Sequence, residues 1–264
     1  MELQNAHVLI TGASRGIGAA MARRFYRAGC RVSVAARSAD DLSLLVDELD
    51  ATSFVTDLLD PGQVDDLIPN VEKTVGPIDV LVNNAGLATT AWHNDVSAEE
   101  IRSIVRLNLE APLALTRAAL PGMLDRRQGH LVYTSSLAGT GGFPGLATYG
   151  STKAGLMNFV AALRMELKDT PLGTTVVAPG PISTDMWQQV EDEDGMGPMI
   201  KRLRQAQLIP EKSPDYIAKR TVAAVAAGRR HVRTPRRLST SFWLREVPTR
   251  LTESVLTGVP TGPQ

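Results

Sequence analysis

Apolar and polar positions follow two rhythms along the chain. Short apolar or β-branched runs near residues 6–11, 31–35, 52–56, 80–83, 129–135, 174–178 and 231–234 predict strands. Longer helical patterns near 16–28, 39–49, 61–75, 98–120, 147–168 and 214–227 lie between them. Elements that alternate in this way predict one α/β domain: a doubly wound, seven-stranded, mostly parallel sheet with helices on both faces. Such a sheet binds its ligand at the carboxyl ends of the strands, where the strand order reverses. The polar motifs of this chain fall just after strands, which assigns them to a single site.

Composition supports this reading. A chain of 264 residues with 43% hydrophobic content buries a sizeable core without disulfide or metal staples, and no repeat or low-complexity linker divides it. The formal charge is zero, which argues against nucleic acid as a partner. Charge is nonetheless uneven: nine Lys or Arg against one acid lie between Lys219 and Arg250, and four acids run from Glu191 to Asp194. The single cysteine, Cys30, sits at a helix-to-strand junction with no histidine nearby in sequence, and reads as a structural thiol. With no signal pattern after Met1 and no apolar stretch long enough to span a bilayer, a cytoplasmic protein is expected.

The first predicted strand runs into Thr11-Gly-Ala-Ser-Arg-Gly-Ile-Gly18. Gly12, Gly16 and Gly18 allow a tight turn that brings backbone amides and a helix N-terminus to a pyrophosphate, with Ile17 inside the turn. A strand before and a helix after make this a Rossmann-type dinucleotide turn. The second strand ends at Ala36 and Arg37, where a preference for NAD(H) would place a carboxylate on the ribose. Arg15, Arg37 and Ser14 suit a dianionic 2′-phosphate better than a hydroxyl, so NADP(H) is the expected cofactor and NAD(H) the alternative. Asp57 and the Leu58 backbone suit the adenine edge, although Asp57 also reads as a helix cap before Pro61. Asn83 and Asn84 are expected to tie strands together beneath the cofactor, and the small Ala85 and Gly86 leave room for adenosine.

Tyr149 and Lys153 stand one helical turn apart on one face. A phenol of pKa about 10 that acts near neutral pH needs a shift of roughly three units, about 4 kcal/mol. An ammonium about 5 Å away supplies roughly 3 kcal/mol at an effective dielectric near 20. The positive charge of an oxidised nicotinamide adds to it. Upstream, Ser135 and Ser136 follow the fifth strand, and either hydroxyl is placed to bond a substrate oxygen.

Four motifs in this order make the chain similar to the short-chain dehydrogenase/reductase family, whose relatives include 3-oxoacyl carrier-protein reductases. They are the glycine turn, Asn83-Asn-Ala-Gly86, Ser136 with Tyr149 and Lys153, and Pro179-Gly180-Pro181-Ile182-Ser183-Thr184. The resemblance runs from about Val8 to Met186. It implies a tetrad of Asn108, Ser136, Tyr149 and Lys153. In it Tyr149 is the acid/base, Ser136 holds the substrate oxygen, and Lys153 also contacts the nicotinamide ribose. It further implies that Ile182 and Thr184 border the nicotinamide amide. For Asn108 there is a direct argument as well: Pro112 offers no N–H to the Asn108 carbonyl, so a kink is expected there, with a carbonyl able to hold a relay water.

Beyond Met186 the chain departs from compact relatives. Residues 185–210 fall where a substrate lid is expected, and Met186, Trp187, Met196 and Met199 read either as pocket lining or as ordinary packing. The C-terminal extension, 236–264, carries Phe242-Trp-Leu244 and arginines. It reads as a pocket cap, a subunit contact or a membrane-surface segment. The expected activity is hydride exchange between NADP(H) and an apolar ketone, aldehyde or secondary alcohol, by a homodimer or homotetramer built on the helices carrying Asn108 and Tyr149. The rival readings are a dinucleotide-sensing protein without catalysis and a membrane-associated scaffold on the same fold. No metal is expected.

Overall fold

The computed structural model describes residues 1–183 and 211–235. Strands β1 (His7–Thr11), β2 (Arg31–Ala36), β3 (Thr52–Val55), β4 (Val80–Asn83), β5 (His130–Thr134), β6 (Gly173–Ala178) and β7 (His231–Arg233) form one sheet in the order β3-β2-β1-β4-β5-β6-β7. All neighbouring pairs are parallel. The chain steps outward from β1 to β3 and then returns to β4 on the other side of β1. The strand order therefore reverses between β1 and β4, and a crevice opens beyond Ile10 and Val82, which pair there.

Central strands are apolar on both faces because helices cover both. Val8 and Ile10 of β1 pack toward helices α1 (Gly16–Arg27) and α2 (Ala39–Leu49), with Phe25 and Leu42 among their core neighbours. Leu9 points the other way, into a core shared by α3 (Pro61–Val75), α5 (Ala111–Asp125) and α6 (Ala147–Glu166). The last helix among the described residues, α7 (Pro214–Ala226), joins the α1 side through Ile217 and Val225. Each fully buried side chain of this size contributes about 1.5–3 kcal/mol relative to exposure.

Helix starts follow local chemistry. Ser38 caps α2, Asp60 caps α3 ahead of Pro61, and Ser213 caps α7. Ser97 forms a reciprocal capping box with Glu100 at α4 (Ala98–Val105). The helix start at α1 has no side-chain cap.

One expected element is corrected. The helix read over 98–120 is interrupted by a π-helical turn at Arg106–Glu110, where the Ala111 N–H reaches back to the Arg106 carbonyl. Pro112 has no N–H to continue the usual ladder, and one wide turn absorbs the mismatch. The helix then continues through Pro121 to Asp125 rather than stopping near 120.

Main-chain bonds between Ser183 N and Lys212 O (3.0 Å) and between Lys212 N and Pro181 O (3.1 Å) bring Pro181–Ser183 alongside Lys212. Thr184, the expected lid at 185–210 with its Met and Trp residues, and the C-terminal extension lie outside the described residues. Among the described residues, no helix is long and apolar enough to cross a membrane, and no group of His, Cys, Asp or Glu could hold a metal ion. Cys30 is buried and donates to the Leu3 carbonyl at 3.2 Å. Burial pushes its thiol up to about 11, as suits a structural role.

Candidate active site

A cleft of about 1230 Å³ opens at the carboxyl ends of the strands. Its floor at the reversal point is a set of hydrogen bonds that ties three strand ends together. Thr11 Oγ1 accepts from Asn84 N (3.0 Å) and Ala85 N (3.1 Å) and donates to the Val82 carbonyl. The Asn84 amide donates to the Thr11 and Gly12 carbonyls, both at 3.1 Å, and its Oδ1 accepts from Thr134 Oγ1 at 3.1 Å. Asn84 thus clamps the glycine turn to β5, as the sequence suggested, whereas Asn83, expected to share that task, makes no side-chain hydrogen bond to the protein. The two threonines were missed; their only signal is a hydroxyl closing a strand immediately before a glycine or serine motif.

The turn itself needs glycine. Gly12 has φ +62°, and a Cβ there would stand 2.7 Å from Ala85 Cα. Gly18 is buried behind the turn, where a Cβ would lie 2.1 Å from the Gly12 carbonyl oxygen. It lets α1 pack against the turn and does not itself line the cleft. Because α1 has no side-chain cap, its first amides and the positive end of its dipole are left for an anion. Arg15 and Arg37 stand on the cleft wall close by; Arg37 is exposed and makes no hydrogen bond or ion pair with the described residues. Asp57 lines the cleft and folds its own turn by accepting from Leu59 N at 3.0 Å. The cap of α3 is Asp60, so the capping alternative for Asp57 does not hold.

At the other end of the cleft, α6 presents Tyr149 and Lys153. The Lys153 ammonium is buried, donates to the Thr134 carbonyl at 2.9 Å and sits 5.7 Å from the centroid of the Tyr149 ring. Gly86 makes room for it, since a Cβ there would come within 3.3 Å of Nζ. The two serines separate cleanly. Ser135 is 2% exposed and donates to the Lys153 carbonyl at 2.9 Å, whereas Ser136 lines the cleft together with Tyr149 and its Oγ accepts from Ala138 N at 3.1 Å.

The expected depression of the Tyr149 pKa does not arise from the protein groups. Burial, the larger influence, pushes the phenol above its ordinary value, and the nearby Ser136 hydroxyl opposes it only in part. Burial also lowers Lys153 to about 8. An ammonium that titrates near 8 is already neutral by the pH at which such a phenol ionises, so the pair lends the phenolate little charge stabilisation. Near neutral pH the protein therefore presents a protonated phenol next to a mostly charged lysine.

Asn108 is fully buried and does not line the cleft. Its Oδ1 accepts from Leu87 N (2.9 Å), and its Nδ2 donates to the Leu87 carbonyl (2.8 Å) and to Thr152 Oγ1 (3.3 Å). The side chain thus clamps the loop after β4 to the helix that carries Lys153. Leu87, Ala88, Leu137, Phe143, Leu146 and Pro181 make the wall near Tyr149 largely apolar. The Ala91 N–H bonds the Gly145 carbonyl at 3.1 Å and ties the two loops beside it.

The cleft wall therefore brings together Gly12, Ser14, Arg15, Gly16, Ile17, Arg37, Asp57, Leu58, Asn84, Ala85, Gly86, Ser136, Tyr149, Lys153, Pro179, Gly180 and Ile182. Gly18 and Asn108 support it from behind, and Thr184 is outside the described residues.

Comparison with known proteins adds the following. The family model described as short chain dehydrogenase matches residues 6–195. Dehydrogenase/reductase SDR family member 7B of Rattus norvegicus is 33% identical over 226 residues, covering 81% of this chain and 70% of that protein. The 3-oxoacyl-acyl-carrier-protein reductase FabG of Escherichia coli (strain K12) is 32% identical over 199 residues, covering 75% of this chain and 82% of that one. Among solved structures, a blue fluorescent protein from a metagenomic library in complex with NADPH is 29% identical, with a TM-score of 0.76. The match covers 85% of this chain and 92% of that one.

Proposed function

The chain belongs to the short chain dehydrogenase family, and on that premise we propose that it is an NADP(H)-dependent oxidoreductase acting on an apolar ketone, aldehyde or secondary alcohol, with Tyr149 as acid/base. The observation that carries this reading is the division of one cleft into an anion-binding end and a proton-donating end. The uncapped α1 N-terminus lies at the first, and Ser136, Tyr149 and Lys153 lie at the second.

The residues fit a dinucleotide. The glycine turn and the α1 amides suit a pyrophosphate, Arg15 and Arg37 suit a ribose 2′-phosphate, and Asp57 with the Leu58 backbone suits an adenine edge. Lys153 would reach the nicotinamide ribose, and Pro179, Gly180 and Ile182 would border the nicotinamide. When bound, that group supplies or accepts the hydride. Ser136 Oγ holds the substrate oxygen, and the protonated Tyr149 phenol gives that oxygen its proton in reduction. In oxidation the same phenol oxygen takes the proton back. The Lys153 ammonium, fixed by the Thr134 carbonyl, keeps positive charge beside the oxygen as its charge develops. The apolar wall from Leu87 to Pro181 supports a lipophilic substrate, with residues 185–210 as its lid.

The enzyme acts as a homodimer or homotetramer built on α4–α6, where Leu113, Leu120 and Met157 are only partly covered; light scattering reads this directly. The reading is tested by a carbonyl panel followed through NADPH absorbance, then by Tyr149→Phe, which removes one oxygen and leaves ring packing in place. Turnover should fall about a hundredfold or more while NADPH affinity survives. Parental turnover in the variant would refute the assignment.

A further inference from the structure

Asn83 closes β4 immediately before the cleft, but its side chain does not line it. Strand alternation places that side chain on the face of Leu81, and the register sets it beside Tyr133, both on the α3–α5–α6 side of the sheet. It is 3% exposed, and neither Oδ1 nor Nδ2 has a hydrogen-bond partner among the protein atoms. No other described residue has a buried side-chain nitrogen or oxygen left in that condition. Its polar neighbours on this face are served: the Tyr133 hydroxyl lies 2.9 Å from Thr116 Oγ1, which donates to the Pro112 carbonyl at 2.6 Å.

A buried primary amide with a bare donor and a bare acceptor is costly, and a leucine of nearly the same shape would avoid the cost. The dinucleotide does not satisfy it, because the cleft begins one residue later, at Asn84. The π turn at Arg106–Glu110 followed by Pro112 interrupts the regular helical ladder, and the missing Pro112 N–H leaves a main-chain acceptor without its usual donor. The start of α5 that follows reaches the same face, where Thr116 joins Tyr133 to the Pro112 carbonyl. Buried polar groups that lack protein partners are commonly satisfied by internal water.

We propose that Asn83 anchors a buried water site. The water satisfies the Asn83 amide and links the end of β4 to the main chain of the widened turn that carries Asn108. Asn83 is then a positioning residue: it sets the height of the turn whose Asn108 side chain clamps Leu87 and Thr152. This does not depend on which reaction the cleft performs.

A crystal structure of the full chain at a resolution that shows ordered solvent decides it. A buried water oxygen within about 3.2 Å of Asn83 Oδ1 or Nδ2 is expected. Asn83→Leu, which removes the anchor and keeps the volume, should lower Tm by roughly 2–4 °C. Asn83→Ser, which keeps a hydroxyl and opens room for a second water, should melt closer to the parent than the leucine variant does. An Asn83 amide that contacts only carbon atoms or only protein partners would overturn the proposal. So would a leucine variant that melts at or above the parent. If that variant does not fold, the solvent around Asn83 in the parent crystal is sufficient to uphold or overturn the water site.

Discussion

Ser135 Oγ donates to the backbone carbonyl of Lys153 at 2.9 Å, so the first of two adjacent serines holds the catalytic helix rather than a substrate. Its neighbour Ser136 lines the cleft together with Tyr149. Ser135→Ala should cost about 1 kcal/mol of stability, the scale of one lost internal hydrogen bond, and leave turnover near parental once folded. Ser136→Ala should leave melting nearly unchanged and lower turnover about a hundredfold. Thermal melts and steady-state rates on the same preparations separate the two; equal losses of turnover would show that the serines share the task.

The lysine gives a pH signature. Burial holds Lys153 at about 8, below its ordinary value, so its ammonium is present below that pH and lost as pH rises through it. The Tyr149 phenol, raised by burial, stays protonated over the same range. Carbonyl reduction should be fastest below pH 8 and fall above it, while cofactor binding by the arginines continues. Lys153→Arg keeps its charge throughout and should abolish that limb in whatever activity remains. A profile flat to pH 9 in the parent would contradict the assignment.

Cofactor choice rests on charge. Arg37 is exposed on the cleft wall without a described partner, and Ala36 before it offers no carboxylate to a ribose hydroxyl. Fluorescence titration should show tighter binding of NADPH than NADH, with Arg37→Asp erasing or reversing the gap and raised salt narrowing it. Equal affinities in the parent would dispose of the proposed preference.

Much of this was legible in the sequence, because strand and helix periods, glycines and capping residues act locally. Pro112 pointed to a break near Asn108, but not to its form as a π turn, since a proline removes a donor without dictating how the helix re-forms. Propensity could not separate Ser135 from Ser136. What distinguishes them is which hydroxyl meets the Lys153 carbonyl, a contact made only when β5 and α6 dock. Thr11 and Thr134 were missed for the same reason: their partners lie on other strands. The upward push that burial gives the Tyr149 phenol was not legible, because a sequence gives the spacing of two groups but not the burial of both.

Acid stability offers a test remote from the cleft. His130 lies on β5, 3% exposed, with Nε2 at 2.8 Å from Thr175 Oγ1. Thr175 already donates its proton to the Arg229 carbonyl at 2.7 Å, so it can only accept, and the neutral ring carries its hydrogen on Nε2. The second proton would have to enter at Nδ1, which is packed so closely on Gly173 that a Cβ there would lie 2.3 Å away. Burial, with smaller contributions from the N-terminal ammonium and Arg164, lowers this histidine to about 4 from its usual 6.5. The unfolded chain therefore binds the proton first as pH falls. Stability contributed by the neutral ring is full above about 6.5 and is lost progressively toward 4, reaching about 3 kcal/mol. His7, also buried and lowered, adds loss in the same direction. Melting temperature measured from pH 8 to pH 4 should fall below 6.5, and His130→Gln, which keeps a donor near the Nε2 position but cannot take the proton, should fall less steeply. Parallel curves for parent and variant would mean that His130 is not the group that titrates.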